Sequence, residues 1–348
     1  MPQPSSGDRV RPVTLSDVAR AAGVSQSTAS RAFNGSARRV DEALKQRVLE
    51  AAARLNYVPN TQAQAVARGR TTTIALLVSD IADAYFSSMA AAMMAEAESA
   101  GLRVSVIVTE RRIERELEVV REVRGQHARA IVLAGSGYRD AALTGTLRAE
   151  LDMVIESGGR VVTVSRGDLP FESVDFDNAG GARQLGASLA RLGYRDFLVL
   201  AGEPELVATQ DRVAGFRAGL ADAGIELDDD RVIPSAFSWE GARDAVQRLG
   251  DDVLAGTRLV FAVNDEMALG AVAALRGRGF RIPEDISVAG FDDIRTLRDV
   301  VPGLTTVHVP IADLAAEVVG RIAHGVPGAP GSILPTSVVL RDSTPRLN

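Results

Sequence analysis

Residues 13–35 read VTLSDVARAAGVSQSTASRAFNG, the pattern of two short helices joined by a tight turn at Gly23. Thr14 and Asp17 stand at capping-box spacing, and Leu15, Val18, Ala19 and Ala22 recur at helical intervals along one face. Gly23 stops this helix by taking a left-handed conformation that a β-carbon would resist. Ser25 is placed to cap a second helix running to about Phe33, with Asn34-Gly35 as its exit. Small Ala29 and Ala32 let the second helix lie close against the first, leaving Gln26, Ser27, Ser30 and Arg31 as candidates for the outer face. Gln pairs with adenine and Arg with guanine, so these residues point to a helix-turn-helix that reads DNA. The bland alternative is a helical hairpin with a polar face.

The next segment narrows that choice. Residues 40–58, VDEALKQRVLEAAARLNYV, predict a third helix opened by Asp41, with Leu44, Val48, Leu49, Ala52 and Leu55 as the apolar stripe that closes a small three-helix core. Tyr57-Val58-Pro59 ends it, because a residue before proline is steered out of the helical region. The order D-V-A-x-x-A-G-V-S-x-x-T-x-S-R-x-x-N-G from Asp17 to Gly35, then L-N-Y-V-P-N from Leu55 to Asn60, resembles the DNA-binding headpiece of the LacI/GalR family of bacterial transcription regulators. The resemblance implies double-stranded operator DNA and a homodimer as partners. It assigns Thr14, Ser25, Gln26, Ser27, Thr28 and Ser30 to the DNA face, with Arg31, Asn34 and Tyr57.

Residues 60–69, NTQAQAVARG, are a linker with helical bias by their composition, too short to hold a helix alone. The resemblance makes them a hinge helix in which Asn60, Ala63 and Val66 meet the minor groove. Val66 departs from the family's usual Leu wedge, and its shorter, stiffer side chain inserts less apolar surface.

Bulk properties fit a two-part chain. At 348 residues, 46% hydrophobic and 24% charged, it has room for two or three globular domains. The absence of cysteine excludes disulfides, thiolate zinc sites and a Cys nucleophile. Three widely spaced histidines, His127, His308 and His324, give no basis for a metal site, and neither metal nor cofactor is expected. The first 11 residues are polar and rich in Pro, Ser and Gly, and no segment approaches the ~18 uninterrupted apolar residues of a membrane span, so a cytoplasmic protein is expected. The net charge of −6 divides unevenly: residues 1–70 carry 11 Lys and Arg against 5 Asp and Glu, the remainder 28 against 40. A basic N-terminal fifth on an acidic body is the asymmetry expected when only the headpiece touches phosphates.

From Thr72 onward, short apolar runs at 74–78, 104–108, 130–134, 161–165, 197–201, 258–263 and 286–290 alternate with helix-length sequence. Buried parallel strands have this pattern, so the body is expected to be α/β and doubly wound. The expected organisation is a tail at 1–11, a helix-turn-helix domain at 12–59, a hinge at 60–70 and an effector-binding and dimerisation domain at 71–348. The strand series breaks near residues 167–173, at Pro170, and restarts, which suits two sheets better than one. The body motifs D-R-V-A-G-F (211–216), V-N-D-E-M-A-L-G (263–270) and I-P-E-D-I-S-V-A-G-F-D-D (282–293) resemble the same family, whose body looks like a two-lobed periplasmic sugar-binding protein. On that resemblance the crossovers are expected near Arg166, 292–296 and 325–331. The N-lobe is then 71–165 with 296–325, and the C-lobe 167–292 with 331–348.

Ligands of doubly wound sheets bind beyond the C-terminal ends of strands. There the chain offers carboxylates, a guanidinium, amides and aromatic faces, a set suited to a polyhydroxylated ring. Candidates by position are Asp80, Asp83, Tyr85 and Phe86, then Ser165, Arg166, Phe237 and Trp239, then Asn264, Asp265 and Asp292. The resemblance assigns Arg212 and Asp292 as a polar clamp, Tyr85, Phe86 and Phe237 as apolar walls, and Asn264 as a hydrogen-bond partner for a small-molecule effector. Alternative readings stand beside these: Asp265 as a helix cap, Phe216 as core, and Asp177 with Asn178 as a helix start.

Ser165-Arg166 replaces the Asp that many relatives carry, which leaves room for an acidic or phosphorylated sugar, or for a nucleoside-type corepressor. No phosphate loop, nucleophile elbow or metalloprotease motif occurs, so a Rossmann-like enzyme is a remote reading. A solute-binding protein is equally remote, because it would carry no headpiece.

Overall fold

The computed structural model describes residues 13–34, 41–58, 71–135, 137, 141–164, 169–325 and 331–347. The chain divides into two compact units between Thr71 and Thr72.

The first unit has three helices, α1 (Leu15–Ala22), α2 (Gln26–Asn34) and α3 (Glu42–Arg54). The expected capping box is present: Thr14 N donates to Asp17 Oδ2 at 3.0 Å and Asp17 N donates to Thr14 Oγ1 at 3.4 Å. Gly23 takes φ +64°, and Arg47 of α3 donates to the Ala22 carbonyl at 2.6 Å, satisfying one of the acceptors that the end of α1 leaves open. Ser25 Oγ accepts from Thr28 N at 3.1 Å, and Asp41 caps α3 by accepting from Ala43 N and Leu44 N. Val18, Ala19, Ala22, Ala29, Ala32, Val48, Ala51 and Ala52 form the core. Leu49, expected in the stripe of α3, is 39% exposed instead. The buried line runs through Val48, Ala51, Ala52 and Leu55, and Leu49 lies one residue, about 100° of helix, round from it.

In the second unit the first lobe is built on an all-parallel six-stranded sheet. Its strands are β1 (Thr73–Val78), β2 (Arg103–Val108), β3 (Ala130–Ala134), β4 (Arg160–Val164), β5 (Glu172–Phe176) and β11 (Ser332–Leu334), in the order β11-β5-β4-β3-β1-β2. Ile74, Leu76 and Val78 pack on one face and Ala75 and Leu77 on the other. That two-sided burial is why these strands read as unbroken apolar runs. Helix α4 (Ala84–Ser99) buries Met89, Met93 and Ala97 and leaves Met94 exposed. Helices α5 (Ile113–Gly125) and α6 (Ala141–Glu156) cover the opposite face.

The second lobe has a parallel sheet of β6 (Phe197–Leu200), β7 (Val232–Ile233), β8 (Leu259–Ala262) and β9 (Ser287–Ala289), ordered β7-β6-β8-β9. An antiparallel pair, β10 (Thr306–His308) with β12 (Ser337–Val339), extends it. The helices are α7 (Asn178–Arg191), α8 (Val207–Ala221), α9 (Trp239–Arg248), α10 (Asp251–Ala255) and α11 (Asp265–Gly277). The 211–216 motif has a packing meaning. A β-carbon on Gly215 would stand 2.1 Å from the Ala179 carbonyl, so glycine lets α8 close on α7. Phe216 is core, stacked on Phe261 at 4.4 Å.

The crossovers differ from expectation. β5 and β11 belong to the first sheet, and β10 and β12 to the second lobe. Helix α12 (Ile311–His324) packs on α4 in the first lobe. The chain therefore changes lobe at 176–178, 308–311 and 334–337, not near Arg166, 292–296 and 325–331. Pro170 marks a turn within the first lobe. The cause is legible in hindsight: Glu172-Ser-Val-Asp-Phe176 alternates polar and apolar residues, and β11 and β12 have three residues each, too short for a periodicity. Two crossovers are bonded together, with Asp177 N on the Leu334 carbonyl and Thr336 Oγ1 on the Asp177 carbonyl, both at 3.0 Å.

Candidate functional site

Two sites follow from the two units. In the first, the outward side of α2 carries Gln26, Ser27 and Arg31, all exposed. Ser25, Ser27 and Thr28 form a local hydroxyl cluster, with Ser25 Oγ 2.8 Å from both Ser27 Oγ and Thr28 Oγ1. Thr14 is committed to the cap of α1, and Tyr57 lays its ring 5.7 Å from Phe33 at the rim of the core. Ser30 is half-buried. Asn34 ends α2, and Asn60, Ala63 and Val66 lie outside the described residues. What α2 presents is a short row of hydrogen-bonding groups on a rigid, capped helix, the arrangement that lets a helix enter a major groove.

In the second unit a cleft opens where the C-terminal ends of both parallel sheets face one another. The loop after β1 brings Ser79 and Asp83, the start of α4 brings Tyr85 and Phe86, and β3 runs into Gly135. From the other lobe come Leu206 and Ala208 at the start of α8, Arg212 within it, Phe237 after β7, Asn264 after β8 and Asp292 after β9. The structure thus brings Asp83, Tyr85, Phe86, Arg212, Phe237, Asn264 and Asp292 together on one pocket wall. Ser165 and Arg166 lie outside the described residues. Asp80 and Trp239 are not on the pocket wall.

Arg212 organises the floor. Its Nε donates to Asn178 Oδ1 at 2.9 Å, its Nη1 to the Val263 carbonyl at 2.7 Å, and its Nη2 stands 2.8 Å from Asp292 Oδ1. Both side chains of that ion pair are under 8% exposed, and the guanidinium lies 3.9 Å above the Phe291 ring. Asp292 and Asp293 have φ +118° and +55°, a left-handed pair that turns the Asp292 carboxylate into the pocket. Such conformations cost about 1–3 kcal/mol each for a residue with a β-carbon.

Asp265, a pocket candidate by position with a helix cap as its alternative reading, is neither. Asn264 is the cap of α11, accepting from Met267 N at 2.8 Å. Asp265 is fully buried behind the wall, where its carboxylate accepts from Ile294 N at 3.0 Å and from Thr306 Oγ1 at 2.7 Å. The carboxylate thereby pins the backbone just after the Asp292–Asp293 kink, and the Asp265 N–H, donating to the Phe291 carbonyl at 2.8 Å, holds the backbone just before it. Burial pushes the Asp265 carboxyl up to about 7, against the lowering influence of those two donors. Burial raises Asp292 as well, with Arg212 opposing it. Asp83 caps α4 by accepting from Tyr85 N at 2.8 Å, and burial raises it too.

Sequence reasoning missed Arg111, which also lines the pocket. It follows β2, and the rule that ligands sit beyond strand ends would have reached it had 104–108 been followed past Val108. Ser79, Gly135, Leu206 and Ala208 were missed as well, because small or apolar side chains carry no chemical signal. Chemically the pocket offers carboxylates that accept hydroxyl donors, aromatic faces for C–H groups, and a fixed guanidinium. Among the described residues no group of three His, Asp or Glu is placed to hold a metal ion, and no helix is long and apolar enough to cross a membrane.

Comparison with known proteins matches both units of the chain to known domains. Residues 14–60 match the family model of bacterial regulatory proteins of the lacI family, and residues 187–344 match a periplasmic binding protein-like domain. The chain is 32% identical to the HTH-type transcriptional regulator CelR of Thermobifida fusca, over 97% of this chain and 99% of that protein. Among solved structures, the lac repressor dimer bound to operator and the anti-inducer ONPF is similar at a TM-score of 0.83 and 28% identity, covering 96% of this chain and 100% of that one. A CelR–cellobiose complex is similar at a TM-score of 0.67 and 29% identity, covering 95% and 99%.

Proposed function

This chain belongs to the LacI family of bacterial regulatory proteins, a family of DNA-binding transcriptional regulators rather than enzymes, and from that premise we propose that it is a repressor that grips a palindromic operator as a homodimer under the control of a sugar in its cleft. One headpiece covers a half-site, and linking two raises affinity through effective concentration. The effector is a neutral sugar or sugar derivative.

The observation that carries this reading is the buried Asp292 carboxylate, held by Arg212 on a wall shared with Tyr85, Phe86 and Phe237. A ring hydroxyl donates to the carboxylates of this wall, and the aromatic faces cover the C–H side of the ring. Arg212 is already held by Asn178, Val263 and Asp292, so an anionic ligand would have to compete with Asp292 for it. That weighs against an anionic sugar held by Arg212. A CelR–cellobiose complex and a LacI family regulator from Enterococcus faecium with bound ribose have a similar fold, which supports the same class.

In this mechanism the sugar closes the lobes, and closure alters the spacing at which residues 60–69 of two protomers pair. Because so short a helix is marginal alone, a differential ligand energy of about 1–3 kcal/mol is enough to switch it. The protein acts in the cytoplasm, with its operator.

The test joins a thermal-shift screen with operator selection. Cellobiose, ribose, galactose, gluconate, glucose 6-phosphate and adenosine are screened for a rise in melting temperature, which mass action gives to any ligand of the folded form. A neutral sugar is expected to raise it and to change the affinity for a selected palindrome. A response confined to gluconate, glucose 6-phosphate or adenosine overturns the effector reading, and failure to enrich any palindrome overturns the regulator reading.

A further inference from the structure

We propose that Arg111 is the positioning residue of the cleft, reaching from one lobe to stack its guanidinium on Phe237 of the other and so holding the lobes together over the pocket. Arg111 belongs to the first lobe, three residues beyond β2. Its Cζ stands 5.2 Å from the centroid of the Phe237 ring, which belongs to the loop between β7 and α9 in the second lobe. Both side chains line the pocket. A guanidinium over an aromatic face within about 6 Å is attracted by the ring's electron density, and the attraction grows as water is excluded.

Both partners are held in place by their surroundings. On the arginine side, Glu110 and Arg111 each have φ +54°, two successive left-handed residues that are not glycine. That turn is fixed to the sheet by Thr109 N on the Val78 carbonyl, Glu110 N on the Ser79 carbonyl and Arg112 N on the Thr109 carbonyl. On the other side, Phe237 N donates to Glu203 Oε2 at 3.0 Å, and the ring lies so close to Gly202 that a β-carbon there would be 2.3 Å from it. The turn directs the arginine and the glycine admits the ring. The backbone also ties the lobes across the cleft, where Val207 N donates to the Gly137 carbonyl at 3.4 Å. The Arg111–Phe237 stack is a side-chain tie on the pocket wall itself, where a ligand meets it directly. Arg111 also lowers the proton affinity of Asp83 across the same wall.

The geometric part of this inference is independent of what the pocket binds, and only the coupling to a ligand rests on the effector reading above. The chain has no cysteine, so two introduced thiols can be labelled without background. Spin labels at Glu122→Cys on α5 and Gln247→Cys on α9, both exposed, report the distance between the lobes by pulsed electron resonance. Labelled chains are diluted with unlabelled ones, so that only distances within one chain are read. In the ligand-free protein, Arg111→Ala and Phe237→Leu are each expected to lengthen and broaden the distribution, the double variant to do no more than either, and Arg111→Lys to restore part of the closed population. Circular dichroism melts of each variant identify any that fails to fold, and the Arg111 pair of variants carries the test if Phe237→Leu does. Distributions for Arg111→Ala and Arg111→Lys that superimpose on the parent overturn the proposal. Because no sugar or DNA is present, this outcome is separate from the fate of the effector reading.

Discussion

The outward face of α2 and the floor of the cleft draw on the same residue types and put them to opposite use. Gln26 and Arg31 point to solvent and lend nothing to the fold, whereas Arg212 spends its guanidinium on Asn178, Val263 and Asp292 inside the protein. The first set is ready for a partner as it stands. The second is part of the body's interior, and a ligand must complete a network that already exists. The difference teaches that loss of function should separate cleanly from loss of stability in the headpiece and should not separate in the cleft.

Arg212→Ala gives the largest expected effect. It strips three buried acceptors at once, one of them a carboxylate, and removing one partner of a buried pair costs about 3–5 kcal/mol. Urea unfolding followed by the single tryptophan, Trp239, which lies in the body, reads this directly. Arg31→Ala should leave the same transition within about 0.5 kcal/mol. Equal urea midpoints for Arg212→Ala and the parent would break the comparison.

A smaller effect sharpens it from the pH side. Asp265 has its carboxyl raised to about 7 by burial, so between its ordinary value of 3.8 and that point the folded body holds a proton that the unfolded chain gives up. Its contribution to stability therefore falls as pH rises through this window. Melting temperatures at pH 5 and pH 8 should differ less in Asp265→Asn than in the parent. An unchanged difference would show that the carboxyl titrates at an ordinary value.

The two regions also differ in how much of them could be read from the chain. In the headpiece every determinant lies within a few residues of its partner: Thr14 with Asp17, Ser25 with Thr28, Gly23 between two helices. Local spacing therefore carried the helices and most of the core, and failed at Leu49, where one residue of helical phase separates buried from exposed, and at Leu44, which is half-buried outside the core. The cleft is assembled from seven strand ends far apart in sequence. The strand-end rule found Asp83, Phe237, Asn264 and Asp292, and family resemblance found Arg212. Neither could show that Asn264 is the cap and Asp265 the pin, because both are adjacent polar residues before a helix and only the partners Ile294 and Thr306 distinguish them. The crossovers failed for a related reason, since three-residue strands at a sheet edge carry too little pattern to be seen.

Within the headpiece two changes grade the remaining effects. Arg31→Ala should cost about 1–3 kcal/mol of operator affinity if the guanidinium forks onto a guanine, measured by fluorescence anisotropy at fixed salt. A uniform loss on all sequences, with a shallower salt dependence, would mean a phosphate contact instead. Thr14→Ala acts on the fold: it removes a side chain that caps α1 from Asp17 N, at about 1 kcal/mol of headpiece stability. Amide exchange in α1 should accelerate, and operator preference should stay as it is.

Gln26→Ala is the smallest change in energy and the most exacting one. Gln26 is exposed at the first turn of α2 and makes no hydrogen bond within the protein among the described residues, so its removal should shift stability by less than about 0.5 kcal/mol. If it reads a base edge, selection from a random library should return an operator altered at one position in each half-site and unchanged elsewhere. If the preferred operator is the same for both proteins, α2 does not meet bases through Gln26, and the idea that the exposed row is the reading face must pass to Arg31 alone.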